Sequence, residues 1–269
     1  MVSTSREEAG NRAGDRAESR QELADRIRQE HLRGSGRRRV QAMVLVVLLV
    51  VAAIGLLLWM QFRAHQESVV TAPQNATEEY GFLLTPALKN GTEPTDATPV
   101  RVVTYEDFLC SSCGIFHTES SPFLAEQVAA GAIELEYRPI SFLVNASTDE
   151  YSQRAANAAV CVADQAGAVA YAAMHDLLLA NQPAEGGAGL SDEQLIDFAV
   201  QAGAADVDEC VTERTFWPWI EEATAASLEA DVHETPTVRV NGQNVVRSDN
   251  GKESMPGPPE LQYAIEAVS

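Results

Sequence analysis

An α/β fold with an inserted helical subdomain, preceded by one transmembrane helix, is the architecture predicted by the 269-residue sequence. Three observations carry it. An uncharged apolar run extends from Ala42 to Met60; a strand, a helix and a second strand follow one another between Pro99 and Pro139; and an alanine-rich block from about Asp149 to Leu228 keeps helical spacing.

Taken in order, residues 1–39 hold ten Arg against seven Asp and Glu, with Leu23, Ile27 and Leu32 at loose helical spacing but no stripe wide enough for a core. They are expected to form a cytoplasmic tail, disordered or a solvated helix. The run AMVLVVLLVVAAIGLLLWM, inside an expected transmembrane helix at 40–60, has the length needed to cross the hydrocarbon core. It starts too late for a cleaved signal peptide and is followed by Gln61-Phe62-Arg63, not by a small-x-small cleavage site. Arg33, Arg37, Arg38 and Arg39 crowd its N-terminal flank, a bias that keeps the N-terminus cytoplasmic. A single-pass anchor in the cell membrane is therefore expected, with everything after it extracytoplasmic. Residues 61–97 contain Gly, Pro, Thr and Asn without a sustained period and read as a linker.

Residues 98–269 are expected to fold as one domain. An apolar extended run, Val100 to Tyr105, leads into a predicted helix from about Ser111 to Ala130, and Ile133 to Tyr137 reads as a second strand ended by Pro139. A strand-helix-strand unit of this length implies parallel pairing through a right-handed crossover. The alanine-rich block, interrupted at Asn181-Gln182-Pro183 and at Gly186, Gly187 and Gly189, predicts three or four helices in an insertion spanning about 145–230. Alternation from Pro236 to Val240 and from Asn244 to Arg247 around Asn241-Gly242 is a strong hairpin signal. A last helix is expected near Glu260 to Val268.

Charge excludes some partners. Residues 61–269 carry nine Lys and Arg against 32 Asp and Glu, a net −23, so nucleic acid and anionic membrane surfaces are repelled. Solubility accounts for the acidity.

The chemistry concentrates in Cys110-Ser111-Ser112-Cys113. This spacing could hold half of a zinc site, which would need a second close pair. Cys161 and Cys210 are the only other cysteines and each is isolated, so no metal site and no cofactor are expected. A sulfur at a helix N-terminus faces unpaired N–H groups and the positive end of the helix dipole, which favour thiolate. Cys110 is expected to be acidic, in the range of about 3.5–7.5 found at such sites. Cys161 and Cys210, in an oxidising compartment, are expected to form a structural disulfide whose long loop contributes about 3–4 kcal/mol. A second redox pair or free buried thiols are the alternatives.

The element order, with Phe108-Leu-Cys-Ser-Ser-Cys113 ending the first strand and Thr235-Pro236-Thr237 opening the hairpin, resembles the DsbA-type thioredoxin-like thiol-disulfide oxidoreductases, above all the membrane-anchored extracytoplasmic bacterial forms. The resemblance covers about residues 98–269 and implies a thioredoxin-like fold. It implies Cys110 as the attacking thiol, Cys113 as the resolving thiol, Pro236 as a cis-proline facing them, and the Thr235 backbone as the place where substrate pairs. Disulfide formation in reduced exported proteins, with a quinone-linked membrane redox partner, is the activity implied. The same fold run as a reductase or isomerase, for instance in cytochrome c maturation, and a non-enzymatic binding module stapled by its disulfide are the rival expectations. Two departures stand out: Glu234 where the family commonly has glycine, and Ser-Ser between the cysteines. A carboxylate at Glu234, Glu106 or Asp107 would oppose a thiolate. Glu106 and Asp107 are expected to be hydrated, helix-starting residues. His117 and His233 read as packing or surface histidines, and Phe216, Trp217 and Trp219 as packing in the helical block.

Overall fold

The computed structural model describes residues 40–41, 43–57, 59, 70–93 and 99–269. Residues 40–41, 43–57 and 59 are helical (α1), with exposed apolar side chains. Among the described residues no helix is long and apolar enough to cross a membrane. Positions 42, 58 and 60 of the expected span, the tail 1–39, positions 61–69 and 94–97 of the expected linker, and position 98 of the expected domain lie outside the described residues. Two compact units divide the chain, at 1–67 and 68–269.

In the second unit the strands are β1 (Phe82–Leu84), β2 (Val100–Glu106), β3 (Ile133–Pro139), β4 (Thr237–Val240) and β5 (Gln243–Asn244), forming one sheet in the order β1-β3-β2-β4-β5. The helices are α2 (Pro86–Asn90), α3 (Ser111–Ala129), α4 (Tyr151–Ala180), α5 (Asp192–Gln201), α6 (Asp208–Thr212), α7 (Trp217–Glu229) and α8 (Pro258–Glu266). β2 and β3 run parallel, from Val100 opposite Ile133 to Glu106 opposite Pro139, with α3 as the crossover. Both strands read VRVVTYE and IELEYRP, a density of β-branched and aromatic residues suited to a sheet covered on both sides. β4 is antiparallel to β2, pairing Tyr105 with Thr237. That register brings the start of β4 to the end of β2, where the cysteine loop begins. Asn241 and Gly242 take φ of 45° and 82°, the left-handed pair that a two-residue hairpin turn requires.

Four helices, α4 to α7, make up the insertion. Alanine dominates α4, and Ala155, Ala156, Ala158, Ala159 and Ala163 are buried, which lets neighbouring elements approach its backbone closely. Gly167 breaks its helical geometry with φ of 79°, a conformation that favours glycine. A disulfide joins Cys161 of α4 to Cys210 of α6 across 49 residues, with their Cα atoms 6.0 Å apart.

The stretch expected as linker departs from expectation where it is described. β1 pairs antiparallel with β3, and Phe82 is fully buried, stacking on Tyr171 at 4.7 Å and meeting Trp219 at 5.8 Å. Burying one such phenylalanine contributes about 2–3 kcal/mol, enough to order a three-residue strand that has no period of its own. Beside it the buried Glu136 carboxylate accepts hydrogen bonds from Arg101, Arg138 and Thr77. A second hairpin also escaped the pattern: β6 (Arg247–Asp249) and β7 (Lys252–Ser254) turn at Asn250-Gly251.

Candidate active site

The site forms where β2 runs out. After Glu106 the chain turns through Asp107 to Leu109, and the Cys110 N–H donates to the Asp107 carbonyl at 3.0 Å. Cys110 is the N-cap of α3, extended at φ −69° and ψ 115°, and its carbonyl accepts the N–H of Cys113 at 2.9 Å and of Gly114 at 3.3 Å. Its sulfur is half-buried whereas Cys113, one turn on, is fully buried. Gln182, just beyond α4, donates through its amide to the carbonyls of Phe108 at 3.0 Å and Cys110 at 2.8 Å. The insertion thereby fixes the backbone on both sides of Cys110.

Facing the sulfur is the Thr235-Pro236 bond, which is cis. The Cys110 sulfur lies 3.2 Å from the Thr235 carbonyl oxygen, which accepts its hydrogen in the thiol form. Glu234, Thr235, Pro236 and Ser112 line one end of an adjoining groove of about 300 Å³ that continues along Val246 and Met255. The structure thus brings Cys110, Cys113, Thr235 and Pro236 together, while Cys161 and Cys210 are joined elsewhere as a pair.

The two sulfurs differ electrostatically. A hydrogen bond from the Cys113 thiol, opposed by partial burial and reinforced by the backbone N–H groups of Cys113 and Ser112, lowers the Cys110 thiol to about 5. Ser112 contributes through its backbone. Burial pushes Cys113 well above an ordinary thiol, and its hydrogen bond to Cys110 and the Glu106 charge push the same way. One thiol is therefore ionised and the other protonated at neutral pH. This is the asymmetry that disulfide exchange uses, with one sulfur attacked or attacking and the other resolving the mixed disulfide.

Glu106 and Asp107 are both buried, contrary to the expectation of hydrated residues. Asp107 accepts from the Leu109 N–H at 2.9 Å, the Leu143 N–H at 2.8 Å and the Ser152 hydroxyl at 2.8 Å. Burial outweighs these bonds and raises its carboxyl to about 6. Glu106 places Oε2 3.0 Å from Nε2 of His175, and its Oε1 is buried with no hydrogen-bond partner among the described residues. Burial pushes His175 down, but the charges of Glu106 and Asp176 win and hold it at about 9. The expectation failed because an acidic pair in an acidic chain carries no local sign of burial; the partners come from residues 143, 152 and 175.

His117 does not turn to the sulfurs: its Nε2 lies 3.0 Å from Oδ1 of Asp176. His233 is exposed, its ring facing Asp231 at 3.9 Å. Phe216 and Trp219 are buried in the helical block, and the Arg214 guanidinium lies over the half-buried Trp217 ring at 5.9 Å. His175 and Gln182 were not singled out in the sequence. A lone His-Asp pair in an alanine and leucine helix was the signal for the first, and Gln182 lay hidden in what reads as an interruption.

Residues 95–265 match a thioredoxin family model, Thioredoxin_4. Reduced DsbA from Mycobacterium tuberculosis is 32% identical, with 70% of this chain and 92% of that one covered and a TM-score of 0.57. The reduced disulfide bond oxidoreductase DsbG from the same organism is 33% identical, covering 72% and 89%, with a TM-score of 0.58. BdbD from Bacillus subtilis, at 19% identity, 74% and 96% coverage and a TM-score of 0.54, shares the fold. No curated protein sequence matches the chain. With a thiol pair capping a helix opposite a cis-proline, and with this degree of likeness across the domain, the chain belongs to the DsbA-type thioredoxin-like family of thiol-disulfide oxidoreductases.

Proposed function

We propose that the protein oxidises cysteine pairs in exported proteins, working from a membrane anchor at residues 40–60 that leaves the N-terminus cytoplasmic and the domain at 98–269 extracytoplasmic. Cys110 and Cys113 are the catalytic pair, Pro236 faces them, and the Thr235 backbone binds substrate. The depressed Cys110 thiol carries the assignment of direction. A stabilised thiolate stabilises the reduced enzyme, so the closed disulfide becomes a stronger oxidant.

In the cycle, a substrate thiolate attacks Cys110 of the Cys110–Cys113 disulfide. The sulfur-sulfur bond breaks toward Cys113, which takes a proton. The second substrate thiol, losing its proton, then attacks the substrate sulfur of the mixed disulfide and expels Cys110 as a thiolate. Two electrons pass from substrate to enzyme, and a quinone-linked membrane partner removes them. The groove beside Thr235 suits an extended unfolded segment, whose backbone N–H can pair with the Thr235 carbonyl. Support for the anchor comes from the exposed apolar face of α1 and from the change from +3 to −23 across it.

The reduction potential of the purified full chain, equilibrated against glutathione, tests the direction. A value less negative than about −220 mV is expected. A value well below it would make the protein a reductase or isomerase.

A further inference from the structure

We propose that His117, His175 and Asp176 form a binding site for a divalent transition cation of the zinc class. Their ligand atoms lie within 4.8 Å of one another. Nε2 of His117 is 3.0 Å from Oδ1 of Asp176, and Nδ1 of His175 is 3.5 Å from the same oxygen. Metal-ligand bonds of about 2.0–2.1 Å in a tetrahedron put neighbouring ligand atoms about 3.3 Å apart, so both separations already match its edges. Two imidazoles and a carboxylate are a zinc-type donor set that leaves one position open.

The surroundings are built for this use. Glu106 engages Nε2 of His175 at 3.0 Å, the carboxylate-histidine arrangement that orients a ligating ring and leaves its other nitrogen free for metal. Phe108, Tyr137 and Tyr171 pack round the His175 ring at 5.9, 4.7 and 6.4 Å and fix its plane. Asp176 is 61% exposed and gives the ion an entry from solvent. His117 stands four residues after Cys113 on α3, so the site sits one helical turn from the buried sulfur. Both ring nitrogens already face one Asp176 oxygen, and ligation replaces those contacts with bonds to the cation.

Calorimetric titration of ZnCl2 into the full chain tests the site, with Cys110 and Cys113 first closed as a disulfide so that neither thiolate can bind the ion. One zinc per chain is expected, with affinity at least about tenfold lower in His117→Ala and again in Asp176→Asn. Both side chains reach solvent, and thermal melts of each variant verify folding. No binding by the parent protein, or unchanged affinity in either folded variant, overturns the site.

Discussion

Two cysteine pairs of one chain have opposite fates. Cys110 and Cys113 lie three residues apart at a helix start, one half-buried and one sealed, and their environments split their acidities. Cys161 and Cys210 lie 49 residues apart, joined between α4 and α6 with Asn157 bonding the Cys210 carbonyl at 3.2 Å. Sulfur chemistry here follows from what surrounds the atom: N–H groups and an open groove suit exchange, whereas packing between helices makes a staple.

The sharpest way to break this contrast is to exchange the losses. Cys110→Ala is expected to reduce oxidation of a reduced unfolded substrate to the uncatalysed rate, measured by oxidative refolding, while Cys161→Ala/Cys210→Ala keeps exchange activity at temperatures where it remains folded. Cys113→Ala, with Cys110 first loaded as a mixed disulfide with glutathione, is expected to exchange glutathione for a substrate bearing a single thiol and to stay joined to it, visible on a non-reducing gel and released by dithiothreitol. Next in size, the Cys161→Ala/Cys210→Ala variant is expected to lose about 3–4 kcal/mol in denaturant unfolding, the loop-closure contribution of a disulfide of this span.

A pH series sharpens the comparison further. Alkylation of Cys110 in the reduced protein is expected to be half-maximal near its depressed value of about 5, well below the ordinary range. Because the folded thiol is the more acidic, the stability it adds to the reduced form is full above the unfolded thiol range and is lost as pH falls through about 5. Equilibrium unfolding of the reduced protein across that window checks the sign. The smallest expected effect is Gln182→Ala, which removes an amide from two backbone carbonyls and costs about 1–2 kcal/mol.

Local rules made much of the fold legible. Strand periodicity placed β2 and β3, alanine-rich helical spacing placed the insertion, and Asn241-Gly242 announced its turn because few other residues accept both left-handed positions. The cysteine spacing and its place after a strand pointed to the pair that the structure sets at the start of α3. What stayed hidden depends on partners distant in sequence. β1 is ordered by β3 and by Tyr171 and Trp219, not by its own residues. Glu106 is buried because α4 supplies His175, and the Cys110 loop is held by an amide 72 residues away.

That amide has an engineering consequence. Gln182 grips the peptide groups flanking the reactive cysteine from just beyond the far end of α4. A graft of Phe108 to Cys113 onto a smaller scaffold lacking the helical lobe would transplant both thiols but leave behind the hand that sets their posture.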